Sequence, residues 1–150
     1  MGFFTSAVSS AAKAINSGYT LSTVERFCSD LGWPVSERRG NKVTVYLQDP
    51  IGHERPIVVN CSQFVILATF SLVTLAEVPA EISGFLLCRN NELVYGKWGV
   101  SVEDGEAHFH LGYVMNAEGL NATSFIAICE EMATEAGGFD GRMQRAGLLR

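Results

Sequence analysis

From Ile57 to Val73 the chain runs through seventeen residues that are almost all apolar or β-branched, interrupted by the polar turn Asn60-Cys61-Ser62-Gln63. This run reads as two strands of a sheet, Ile57 to Asn60 and Phe64 to Val73. On the longer strand Phe64, Ile66, Ala68, Phe70 and Leu72 share one face. Val65, Leu67 and Val73 share the other, with Thr69 and Ser71 between them. An antiparallel sheet commonly leaves one face to water, yet both faces here are apolar enough to need shelter. Val65 and Leu67 are therefore expected under a helix, under the amino-terminal arm, or against another subunit.

At 150 residues the chain suits one domain with one core. Its 47% hydrophobic and 18% charged content is that of a folded protein, with fewer charges than a fully solvated surface needs. A dimer follows as an expectation. Sixteen acidic residues against eleven basic ones give a net charge of -5, the wrong sign for a nucleic-acid surface. Cys28, Cys61, Cys88 and Cys129 form no Cys-x-x-Cys pair and read as small buried hydrophobes in a reducing cytoplasm. No segment approaches the roughly 20 apolar residues of a membrane span.

The order of elements follows from local signals. Residues 1–19 read as a helical or loose arm, with Phe3, Phe4, Ala7, Val8, Ala11 and Ile15 along one side. Met1-Gly2-Phe3-Phe4-Thr5-Ser6 also fits the short myristoylation pattern, which is common by chance. Ser22 and Glu25 have capping-box spacing for a first helix that Gly32 ends. Arg39-Gly40-Asn41 joins Val35 to the alternating Val43, Val45 and Leu47 as a hairpin, and 49–56 is a loop. Pro79 opens a second helix with the stripe Ile82, Phe85, Leu86, Arg89 and Leu93, widened by Leu87 and Cys88. Apolar residues over more than half its circumference give that helix two neighbours, the sheet and a symmetry mate.

Asp104-Gly105 is a type I′ turn pair, so paired positions in the final hairpin sum to 209. Trp98, Val100 and Val102 then oppose Leu111, Phe109 and Ala107 on the core side, while Gly99 and Ser101 oppose His110 and His108 on the other. Asn121 caps a last helix that stops at Gly137-Gly138, with Glu130, Glu131 and Glu135 on its outer side and a loose tail over 141–150.

Chemistry is sparsely signalled. His108 and His110 stand about 7 Å apart along one strand, with Lys97 nearby, which makes these three the candidates for a small anion, a metal or a phosphorylated partner. Zinc takes four ligands and the sequence demands no third, so no metal and no cofactor is expected. His53 reads as a solvated loop histidine. No serine or cysteine has a nucleophile-elbow context, and no catalytic residue is assigned.

The order helix, four strands, helix, two strands, helix resembles the YbjN-like domains of bacteria, which share the fold of type III secretion chaperones. The resemblance spans Thr20 to about Asp140 and rests on four features. These are the capped first helix leading into Val43-Thr44-Val45-Tyr46-Leu47, Val78-Pro79 with Asn90-Asn91-Glu92-Leu93, the hairpin from Trp98 to Val114, and the helix from Ala122. It implies an α+β domain over 20–140, an antiparallel sheet flanked by helices. It also implies a non-enzymatic homodimer that binds proteins or extended peptides, as a chaperone or a bacterial sensory-transduction regulator. On this reading Val65, Leu67 and Val73 line a peptide groove that the arm itself could occupy, and Phe85 and Leu87 meet a second copy. The alternative function is a small-molecule or metal site on the polar face of the 97–114 hairpin.

Overall fold

A left-handed Gly32, at φ +69°, ends the first helix, α1 (20–31): its amide donates to the Ser29 carbonyl and the Trp33 amide reaches back to that of Cys28. The computed structural model describes residues 20–149, and the arm expected over 1–19 lies outside the described residues. Because α1 already includes Thr20, Ser22 does not begin it. Ser22 and Glu25, three residues apart on the helix surface, instead both accept from the Arg38 guanidinium, at 3.1 and 2.6 Å.

The strands are β1 (Lys42–Gln48), β2 (Glu54–Cys61), β3 (Phe64–Leu75), β4 (Lys97–Glu103) and β5 (Glu106–Asn116), with α2 (Ala80–Glu92) and α3 (Ala122–Arg145) completing an α+β fold. They form one antiparallel sheet in the order β1-β2-β3-β5-β4. The additional first strand expected at Val35 is present as a single bridge to Val45. Pro34 lacks an amide, and the Thr44 amide donates to Ser36 Oγ at 2.9 Å, so the ladder stops there. β2 begins three residues earlier than expected and includes Pro56, whose carbonyl accepts from Thr69 Oγ1 at 2.8 Å.

The final hairpin has the register that its turn dictates: Asp104 and Gly105 both have positive φ, and Trp98 pairs with Leu111, Val100 with Phe109 and Val102 with Ala107. Trp98, Ala107, Phe109 and Leu111 enter the core, but Val100 and Val102 lie exposed because β4 is the outermost strand. Asn121 caps α3 through a reciprocal pair with Ser124. The helix does not stop at Gly137-Gly138 but runs to Arg145, and Met143 in the expected tail is buried. Gly137 serves close approach instead of termination, and Gly141 does the same one turn later. A Cβ at Gly137 would stand 2.8 Å from Asp49 Cβ, and one at Gly141 3.1 Å from Ile51 Cγ2.

Helices α1, α2 and α3 share one apolar core with the inner face of the sheet. Phe139 of α3 sits at its centre of aromatic packing, with ring centroids 4.8 Å from Trp98, 5.3 Å from Phe109 and 6.4 Å from Phe85. Beside these rings lies a buried ionic cluster. Arg55 Nη2 is 2.6 Å from Asp49 Oδ2 and 2.7 Å from Asp140 Oδ2, and Nη1 donates to the Phe70 carbonyl at 2.7 Å. Asp140 also accepts from the Ser71 hydroxyl and the Leu72 amide. These contacts occur where β3 slips register against β5 between Phe70 and Thr74, so side chains satisfy backbone groups that the ladder abandons.

Removing one member of a buried ion cluster strands the others without a counter-charge. Arg55→Ala is therefore expected to lower unfolding stability by about 3–5 kcal/mol in urea titrations, whereas Arg38→Ala, which breaks an exposed, solvent-screened pair with Glu25, is expected to leave the urea midpoint nearly unchanged.

Candidate functional site

The residues expected to bind a partner separate into two groups. Val65, Leu67 and Val73 are fully buried in the core beneath the helices, so they line no groove, and that expectation is corrected. The polar residues between them on this face are internally satisfied, Thr69 by Pro56 and Ser71 by Asp140. Phe85 is half-buried against Phe139, with the Arg142 guanidinium 4.9 Å above its ring. Leu87 points outward and is 67% exposed.

The apolar surface lies instead on the opposite face of the sheet. Phe64, Ile66, Phe70 and Leu72 of β3 are exposed there, and Val114 of β5 stands beside Ile66 in register. Ala68 opposes Gly112 at the centre, flanked by Val58 of β2. Toward both sheet edges this face turns polar, with Lys42, Thr44 and Gln48 on β1 and Ser101 on β4. The alternation along β3 is as expected, and Val65 and Leu67 lie under the helices, one of the three shelters expected for them. Leu87 on α2, Val94 after it, and Val100 and Val102 on the edge strand β4 are exposed as well.

The hairpin candidates do not converge. Lys97 Nζ donates to the carbonyls of Leu93, at 3.0 Å, and Asn90, closing the carboxyl end of α2. His108 and His110 do share the open face as expected, opposite Ser101 and Gly99. His110 lies across Gly99, where a Cβ would come 2.4 Å from Nε2, and packs 6.5 Å from the Phe70 ring. Among the described residues no group of three or more His, Cys, Asp or Glu side chains is arranged to hold a metal. A depression of about 590 Å³ lies elsewhere, lined by residues that include Trp33, Tyr46, Glu54 and Glu130.

The acidic side of α3 is less solvated than its sequence suggests. Glu130 is exposed, but Glu131 accepts from the Tyr95 amide at 3.0 Å. Glu135 accepts from Arg89 at 2.7 and 3.1 Å and from the Trp98 indole at 3.0 Å. Burial pushes the Glu135 carboxyl up, but the Arg89 and Trp98 hydrogen bonds, with the charges of Arg89 and Arg142, outweigh it and hold the group below its usual range. Asp49 shows the same balance: burial raises it, and Arg55 with the amides of His53 and Ile51 brings it lower. Three cysteines are buried as expected, and burial raises their thiols, Cys28 and Cys61 to about 11. Cys88 is the exception, exposed on α2.

No protein-family model matches the chain, and no curated protein matches it in sequence. Among solved structures, YbjN from E. coli, described as a candidate transcription regulator, is similar with a TM-score of 0.63. The match covers 87% of this chain and 94% of that one at 11% sequence identity. At such identity the likeness establishes a shared fold. No helix among the described residues is long and apolar enough to cross a membrane.

Two measurements check this geometry. A thiol reagent at neutral pH is expected to modify one cysteine rapidly in the native protein, at Cys88, and all four after denaturation. The depressed Glu135 carboxyl contributes stability above the unfolded glutamate value near 4.3, which is lost as pH falls through the lower folded value. Glu135→Gln is thus expected to cost about 1–2 kcal/mol at pH 7, and urea titrations across pH should show the gap narrowing below about pH 4.

Proposed function

We propose that this chain is a non-enzymatic, cytoplasmic protein-binding module of the YbjN-like regulatory kind, acting as a homodimer. The observation that carries this reading is the outer rim formed by α2 and β4. Among the described residues β4 pairs with β5 alone; beyond Trp98, whose amide and carbonyl Asn90 occupies, its outer edge meets no strand, and Leu87, Val94, Val100 and Val102 are exposed on α2, after it and on β4. Edge strands of lone proteins are commonly shielded by proline, bulges or inward charges. This one has regular register throughout and a flank of valines. Pairing of β4 with its symmetry copy would continue the sheet across a two-fold axis and take those side chains out of water.

The open face of β3 is the second element of the proposal: it receives an extended segment of a partner protein. The acidic balance of the chain favours regulation through protein contacts over direct contact with DNA. Lys97 caps α2, so the two histidines lack the cation that would favour an anionic ligand at the hairpin.

Light scattering of the purified protein at micromolar concentration is expected to give a mass near twice 16.3 kDa. Val102→Lys and Leu87→Asp, both at exposed positions, should each return the protein to the monomer without lowering its melting temperature by more than a few degrees. Phe70→Asp on the open face should leave the dimer intact. A monomeric wild-type protein would overturn the dimer.

A further inference from the structure

We propose that the apolar stripe on the open sheet face is covered by the chain's own amino-terminal segment, Gly2 to Asn16, as an internal competitor of the protein partner. The proposal builds on the reading of this face as protein-binding and is independent of the dimer at the β4 edge.

The shape of the stripe selects among occupants. Its apolar side chains come from β3, with Val58 on one side and Val114 on the other, so it spans three strands. At about 4.8 Å between strands that is roughly 10 Å wide, the diameter of one helix or one extended segment. Phe64 to Leu72 runs roughly 26 Å at strand rise. The footprint of such a strip is a few hundred Å², well short of the roughly 800 Å² per partner in a stable interface between folded proteins. Polar β1 and β4 border it. A single narrow segment fits this strip, whereas a second folded copy does not.

The chain enters at the right place. Thr20 lines a small depression with Ala117, Leu120, Asn121 and Ala122, the residues that follow the end of β5. The last residue of β5, Asn116, pairs with Phe64, where the stripe begins. Nineteen residues precede Thr20. The four between Ile15 and Thr20 can bridge roughly 16 Å, enough to turn around the end of the sheet. Beyond them, Phe3, Phe4, Ala7, Val8, Ala11 and Ile15 recur at three- and four-residue spacing, and Ser6, Ser9, Ser10 and Lys13 fall between. At helical rise this series is roughly 18 Å long, against roughly 26 Å of stripe. A tethered segment acts at an effective concentration in the millimolar range, so a partner must displace it to bind.

The test uses the full chain with p-benzoylphenylalanine in place of Phe4, prepared as a mixture of ¹⁴N- and ¹⁵N-labelled protein, irradiated and mapped by mass spectrometry. Cross-links within one chain to peptides containing Phe64–Leu72 or Val114 are expected. Ile66→Glu, at an exposed position, should abolish them while circular dichroism and the light-scattering mass stay unchanged. Cross-links to α1 or α3, cross-links joining labelled to unlabelled chains, capture of another protein, or no cross-link at all would each overturn the proposal. A monomeric mass with the expected cross-links would instead remove the dimer and leave this inference standing.

Discussion

Arg55 between Asp49 and Asp140 ties together the three parts of the molecule that local sequence cannot join: the 49–53 loop, the slipped segment of β3, and the far half of α3. A guanidinium with almost no solvent contact is tolerable when its charge and hydrogen bonds are answered nearby. Here two carboxylates and a carbonyl do so, leaving Nε as its unpartnered nitrogen. The geometry also explains two glycines within a helix. Gly137 lets α3 press against Asp49 and Pro50, which brings Asp140, one turn later, over the guanidinium. The buried residues of α3 run from Phe125 to Met143 with β3 as its main sheet neighbour, and the face of β3 bearing Val65, Leu67 and Val73 is sealed.

A parallel arrangement fixes the other side of the core. Glu135 holds Arg89 of α2 and the Trp98 indole of β4, while Asn90 both accepts from the Trp98 amide and donates to its carbonyl. α2 is thereby clasped to the outer strand, and its free side presents Leu87 and Cys88 to the surroundings. The rim proposed as a dimer interface has a well-anchored backbone, which limits the ordering entropy that association would otherwise require.

Local signals were read well wherever one chemical choice dominated. Asp104-Gly105 dictated a register that the hairpin follows, Asn121 marked a helix start, and Gly32 marked a helix end. Reading failed where a residue has two structural uses. Gly137 looks like a terminator but provides close approach, and Ser22 and Glu25 look like a cap but bind Arg38. The candidate surface was half legible. The alternation along β3 was evident, but choosing the buried set required knowing that Thr69 and Ser71 find partners at Pro56 and Asp140, 13 and 69 residues away in sequence. Leu87 was recognised from its excess on α2; the exposure of Val100 and Val102 depended on strand order, which pairing within one hairpin does not reveal.

The slip in β3 is even-numbered: before it, paired positions of β3 and β5 sum to 180, and after it to 182. Two residues are accommodated, so the inward and outward sets keep their sides, and Val73 and Leu75 point the same way as Val65 and Leu67. A change in length there would obey parity. Paired insertions or deletions preserve the sidedness of the strand's end, whereas single ones turn Val73 to the outside and bring Leu72 into the space next to Asp140. Relatives of this fold should therefore differ by even numbers at that point, an arithmetic rule imposed by the pleat and not by any one contact.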